Sequence, residues 1–265
     1  MINSGDITIL TGKFVISLLI FVRISGMMAV APFFSNSAIP MQLKMLFSMI
    51  LSIIITTAFW KHQPVIDFDV WNLLLLVFKE LLVGISIGFA ANLVFWGASF
   101  AGGMIDFDMG FQAATLFNQE DSAPSLTGEF FGLATLMLFF IVNGHHYIIQ
   151  SIFASIKAVP LTKMEFTDST IKELARMATS VLMIGIKIAS PIIIALFLTN
   201  LSLSLLARIA PQTNIFVLSF QIKVVVGMLT LIASTPLMIW VIKFFLDSME
   251  NELMRMIMSL NPGRV

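Results

Sequence analysis

Charges stranded inside apolar runs constrain this chain more than any other feature. Lys79 and Glu80, Lys187 and Lys223 each lie in stretches otherwise fit to span a bilayer, and Arg23 interrupts the first such stretch. An ionisable group facing lipid costs about 2.5–3.5 kcal/mol on insertion scales. These side chains are therefore expected to face a protein interface or a watery path. A chain built this way is made to assemble or to line something, and is no simple anchor.

The apolar content sets the class. Of 265 residues, 58% are hydrophobic, and the mean hydropathy is +0.98, which points to a polytopic α-helical membrane protein. The apolar segments are continuous, whereas a transmembrane barrel needs alternation. Lysine plus arginine and aspartate plus glutamate both number 15, and no basic patch is interleaved with aromatics, so nucleic acid is not an expected partner. Without cysteine the chain has neither disulfides nor thiolate metal sites. The 18 methionines and 25 phenylalanines fit core packing and lipid contact, or a deformable apolar seal around a passage. Ala29-Val30-Ala31 matches a small-x-small cleavage site, but Asp6, Arg23 and Pro32 argue against a cleaved leader.

Apolar runs fall near 14–31, 45–60, 70–96, 130–156, 177–206 and 214–246. A spanning helix needs about 20 residues. The first two runs are short; the last two are long and carry breakers. Pro191 lies four residues after Lys187, and Gly227 and Pro236 follow Lys223. A proline removes a backbone hydrogen bond and kinks a helix, and in lipid the freed carbonyl must find a partner within protein. The reading is an all-α membrane protein of long kinked helical hairpins with about six hydrophobic segments, in a single integral-membrane domain over 1–265. A secondary transporter with broken helices would also fit this pattern.

Gly84-x-x-x-Gly88, Gly128-x-x-x-Gly132 and the patch from Gly97 to Gly103 are small-residue surfaces that let helix backbones approach closely, within the chain or between subunits. Segment 97–129 is the main interruption of the apolar pattern. It holds Asp106, Asp108, Glu120, Asp121 and Glu129 and no base, whereas 157–176 holds Lys157, Lys163, Lys172 and Arg176. The positive-inside rule puts 157–176 in the cytoplasm and 97–129 on the far side, and six conventional spans would place both termini inside. Among its glycines, 97–129 carries Met104, Ile105, Phe107, Met109, Phe111, Leu116 and Phe117. That reads as a loop packing into something: a movable plug, or a cover for helix ends.

No constellation points to catalysis, a cofactor or a metal. His145 and His146 are adjacent, so on a helix they diverge by about 100° and have no third ligand nearby. Lys79 and Glu80 likewise face different directions, so each is expected to meet its own partner on another helix or subunit. Pro32 to Pro40 is a proline-bracketed connection. Arg208 to Phe216 is a polar knot between the last two runs. Pro211 biases Ala210 away from helix, Gln212 and Asn214 suit a tight turn, and Arg208 can serve the helix C-terminus. No nucleophile–base pair or phosphate-cradling loop stands out, so the chain is not expected to be an enzyme.

Several landmarks together resemble the FliR family of flagellar export-gate proteins. The most specific is Arg208-Ile-Ala-Pro-Gln-Thr-Asn-Ile-Phe216, followed by Ser219-Phe-Gln-Ile-Lys223 and Gly227. Arg23-Ile-Ser-Gly26 with Pro32, Pro40 with Lys44, Glu80 with Gly84 and Gly88, Ala101-Gly102, Gly110-Phe111, and Gly144-His-His146 with Ser155 and Pro160 follow in consistent order. Ser202, Ser204 and Gln221 depart from the pattern. The related virulence-type family SctT shares the Arg–Pro–Gln turn.

The resemblance implies a subunit, present in one copy, of a pseudohelical gate formed with FliP- and FliQ-type subunits beside an FlhB-type switch protein. The gate would sit in the flagellar basal body at the bacterial inner membrane, among membrane lipids. Unfolded flagellar proteins would pass through its pore. It also implies kinked hairpins lying largely outside the bilayer plane, which would overturn the six-span count, and a pore plug near Asp106, Phe107, Met109, Gly110, Phe111 and Phe117. Arg23, Lys79, Glu80, Lys187, Arg208 and Lys223 would be buried or intersubunit charges, and Pro211, Gln212 and Asn214 a structural turn.

Overall fold

A computed structural model describes residues 4–36, 38–60, 63, 69–111, 125–165, 167–212 and 214–261; for residues 4–9 and 216 only the backbone is described. Among the described residues the chain is all-α, with eight helices. They are α1 (Ser4–Val30), α2 (Met41–Phe59), α3 (Val70–Met109), α4 (Leu126–Ile141), α5 (Gly144–Ala158), α6 (Asp168–Ile209), α7 (Ile215–Asp247) and α8 (Met249–Ser259). Five candidate spans are long and apolar enough to cross a membrane, and a sixth crossing arises if α4 and α5 are counted as one broken span.

The chain forms two compact units. The first comprises Met1–Asn92, Asn143–Met177 and Ser248–Val265; the second comprises Leu93–Val142 and Ala178–Asp247. In the first unit, Ile16, Leu19, Ile20, Ile24, Met27 and Met28 are buried along one face of α1, at the three- and four-residue spacing of a helix packed on one side. α1 and α2 run antiparallel: Ser17 Oγ lies 3.5 Å from Ser52 Oγ, and Ser48 Oγ donates to Met28 Sδ at 3.0 Å. Their connection is tied by Ser35 N to Ala31 O at 3.0 Å and by the Lys44 ammonium to Asn36 O at 2.9 Å. The outer face of α2 leaves Leu43, Leu46, Met49, Ile50, Ile53 and Ile54 exposed.

Gly84 and Gly88 let α3 lie backbone-to-backbone on α1. A Cβ on Gly84 would fall on the Arg23 carbonyl, and one on Gly88 would sit 2.6 Å from Met27 O. Facing them, a Cβ on Gly26 would sit 2.8 Å from Leu81 O. In the second unit the same device recurs: a Cβ on Gly102 would strike the backbone of Thr127 and Gly128. Both small-residue surfaces therefore serve packing inside the chain.

The helices differ from the apolar runs in several places, and α1 and α6 begin ten and nine residues before theirs, at Ser4 and Asp168. Segment 97–129 was expected as a loop, but α3 continues through Met109 and α4 begins at Leu126, because its small residues make a helix–helix contact. The run 130–156 is two helices, broken where Asn143 takes φ 58°. Pro191 and Pro236 do not make hairpin bends and sit inside continuous helices. At Pro191 the physical reason is visible: the missing N–H would have served Lys187 O, and Ser190 Oγ donates to that carbonyl at 3.0 Å instead.

Gly84→Val should force α3 away from α1. Overpacking of this kind costs about 1–3 kcal/mol, so the detergent-solubilised variant should unfold at lower temperature, whereas Gly12→Ala, with open space around it, should not.

Candidate functional site

The first unit holds a buried ion pair. Arg23, on the packed face of α1, is 1% exposed, and Glu80 of α3 is fully buried. Arg23 Nε donates to Glu80 Oε2 at 2.5 Å. Nη1 donates to Ser155 Oγ at 3.3 Å, and Nη2 to Val159 O, the C-cap carbonyl of α5, at 3.1 Å. One guanidinium thus ties three helices, with its charge against the negative end of α5. Glu80 Oε1 has no hydrogen-bond partner among the described residues. Glu80 thus meets a partner on another helix, while Lys79 is half-buried on the surface of α3. The intersubunit alternative does not apply to Arg23 and Glu80, which reach each other within the chain and are closed to any partner.

The second unit holds a buried carboxylate at the end of α3. Asp106 is 2% exposed. It accepts from Ser125 Oγ at 2.6 Å, from Thr127 N at 3.1 Å and from Thr127 Oγ1. Ser125 is the N-cap of α4, its hydroxyl accepting from Gly128 N at 2.8 Å. A carboxylate at a helix N-terminus meets free N–H donors and the positive end of the dipole. The clasp fixes the point where the chain leaves α3 against the point where it enters α4.

Around the clasp, Phe107 is 68% exposed while Met109 is buried. Gly110 takes φ 87° beside the Phe220 ring, a turn that favours glycine. Phe111 is half-buried. Phe117 and the neighbouring positions of the expected plug lie outside the described residues. Gly227, expected as a breaker, is a slot in α7 filled by the Met109 side chain.

The other charges lie on helix surfaces. Lys79 and Lys223 are half-buried, and Lys187 and Arg208 are exposed. The Lys187 ammonium lies 5.3 Å from the Phe245 ring centroid. Arg208 stands in the last turn of α6, ahead of the exposed turn residues Pro211, Gln212 and Asn214. Sequence reasoning missed Ser125 and Thr127, which supply the donors to Asp106. The Ser125-x-x-Gly128 start of an apolar run was the available signal, as an N-cap.

These features define a polytopic all-α membrane protein whose glycine-lined helix surfaces pack against one another within the chain. Residues 14–249 match the family model described as "Bacterial export proteins, family 1", and the chain belongs to that family. It is 30% identical over 247 residues to the "Flagellar biosynthetic protein FliR" of Bacillus subtilis (strain 168), covering 92% of this chain and 94% of that protein. It is 30% identical over 219 residues to the protein of the same name from Pectobacterium carotovorum subsp. carotovorum, covering 82% and 83%. The "Yop proteins translocation protein T" of Yersinia pestis is 31% identical over 174 residues, covering 64% of this chain and 67% of that protein.

Glu80→Leu would leave Arg23 buried and uncompensated, a loss of about 3–5 kcal/mol. The double variant Arg23→Met/Glu80→Leu should recover most of it. Thermal unfolding of the two variants in one detergent checks this, and equal losses would contradict the pairing.

Proposed function

We propose that this chain is a subunit of the flagellar type III protein-export gate. In this reading it joins FliP- and FliQ-type subunits, next to an FlhB-type switch protein in the inner membrane, to form the pore through which unfolded flagellar proteins leave. Its role is structural and gating, without catalysis. The observation that carries the reading is the family match over nearly the whole length. The long coverage of the flagellar relatives supports it. The half-buried and exposed lysines on apolar helices support it as well, since Lys79, Lys187 and Lys223 would otherwise face lipid.

In this role Lys79, Lys187, Lys223 and Arg208 meet groups on neighbouring subunits, and the end of α3 carries the pore plug. The Asp106 clasp anchors that plug, while the exposed Phe107 contributes to an apolar seal that blocks ions yet yields to an extended peptide. The similarity to the Yop translocation protein supports a second reading, the same role in a virulence-type apparatus. A deletion strain separates the two by losing either motility or effector secretion.

Co-expression with FliP- and FliQ-type proteins from the same source, followed by native mass spectrometry, should give a discrete complex containing one copy of this chain. A stable homo-oligomer that ignores those proteins would instead fit a transporter. Lys223→Met should prevent complex formation; normal assembly and motility would remove Lys223 from the interface. Phe107→Ser should leave assembly intact and raise ion conductance of the closed gate, with buried Met109 kept in place so that packing is not disturbed. Unchanged membrane conductance in assembled Phe107→Ser gates would count against the seal.

A further inference from the structure

The α6–α7 hairpin carries charge of one sign. Between Glu173 and Asp247 the sequence holds Arg176, Lys187, Arg208, Lys223 and Lys243 and no carboxylate. The carboxylates set within apolar stretches of α3, Glu80 and Asp106, are both buried and both bonded inside the chain. The chain thus closes its own anions and leaves cations on its uncovered apolar helices.

Lys187 is the clearest of these cations. It is exposed, and among the described residues it makes no ion pair. Its ammonium lies 5.3 Å from the Phe245 ring of α7, so a cation–π contact holds the charge over the seam between the two helices. Large apolar side chains stand exposed on both sides of it along α6: Met183 and Ile186 before it, Ile194 and Phe197 after it. On α7, Trp240 and Phe244 stack with centroids 6.1 Å apart and are exposed as well. Whatever covers these side chains also strips water from the ammonium. An enclosed charge is costly unless an opposite charge meets it. The cover must therefore supply an anion in the middle of an apolar surface.

We propose that the α6–α7 seam at Lys187 docks an apolar helix of another protein, and that this helix carries an aspartate or glutamate paired with Lys187. In the export reading, on which this rests, that helix belongs to a neighbouring gate subunit. Charge and apolar surface together select this occupant over two others. A lipid phosphate at Lys187 would leave one of the two flanking apolar stretches among headgroups or in water. A second copy of this chain would need an open carboxylate between apolar stretches. Its Glu80 and Asp106 are closed, and Asp108 and Glu129 stand in the last turn of α3 and the first turn of α4.

The test uses the complex obtained by co-expression with FliP- and FliQ-type proteins. A carbodiimide joins a carboxylate and an amine that touch, forming an amide and releasing a urea, so peptide mass spectrometry reads which groups were paired. The wild-type complex should yield a link from Lys187 to an aspartate or glutamate within an apolar segment of another subunit. Lys187→Gln should lower the yield of complex by about tenfold or more, since a close interfacial charge pair is worth at least that. Lys187→Arg should assemble fully and lose only the link. Lys172→Gln, at an exposed lysine of the first unit, should assemble normally. Full assembly of the glutamine variant overturns the proposal, as does a link from Lys187 to a carboxylate of this chain. Absence of any Lys187 link in the intact wild-type complex overturns it too, and dissociation on washing out phosphatidylglycerol then assigns the charge to lipid. The link is read on the wild-type chain, so a misfolded variant leaves the proposal open to refutation. If the wild-type chain forms no complex with those proteins, the export reading fails by itself; the same link sought in carbodiimide-treated native membranes then decides the docking proposal.

Discussion

The packing of the first unit depends on a charge it has no cheap way to bury. Removing Arg23 and Glu80 from water costs several kcal/mol per ion, and their attraction offsets this only when geometry is good and the remaining donors are met. Both conditions rest on Gly84, one helical turn beyond Glu80. Without a side chain there, α3 lies on the backbone of α1 at Arg23 itself, and the guanidinium reaches the carboxylate. The same guanidinium then closes on Ser155 and the end of α5. A pair of this kind adds little net stability, but it penalises other registers of the three helices, alongside the glycine contacts of α3 on α1 and the Asn92 Nδ2 bond to Val30 O at 2.8 Å. A slide of one turn between α1 and α3 would strand two charges and break the glycine contacts between the helices.

The second unit solves the same problem with a single charge. Asp106 needs no cation because the start of α4 offers hydroxyls, an amide N–H and a favourable dipole. Its acidity and that of its neighbours had marked the surrounding stretch as loop, since a charge ends an apolar run. In the folded chain the charge ends the helix a few residues later by capping the next one. A run of apolar residues and a helix are therefore different objects: the first ends at a polar residue, the second where backbone hydrogen bonds are handed over.

That difference separates what was legible in this sequence from what was not. Helix α2, most of α1 and the class of the fold follow from apolar length and composition, although α1 begins at Ser4, ten residues before its apolar run. The pairing of Arg23 with Glu80 does not, because 57 residues separate them and each had several conceivable partners. Nor could the prolines be read correctly from their own positions: Pro191 is tolerated because the neighbouring Ser190 serves the carbonyl it leaves bare. Gly227 looked like a weak point in α7 and is a socket for Met109, which only the fold brings to it. Glycine spacing correctly announced close helix contacts, while the identity of the facing helix came from tertiary structure.

The exposed side of α6 carries a further consequence. Large apolar side chains stay uncovered from Leu182 to Ile209, which is about 40 Å of helix at 1.5 Å per residue. The hydrocarbon core is about 30 Å thick, and tilts near 20° shorten the projection only slightly. Lipid tails alone cannot solvate such a surface, and water will not. A copy synthesised without protein to cover it keeps leucine, isoleucine and phenylalanine on display, the same signal by which membrane proteases and chaperones detect failed folding. In the proposed export gate this is the surface that neighbouring subunits would cover, and a copy left without them would keep it exposed.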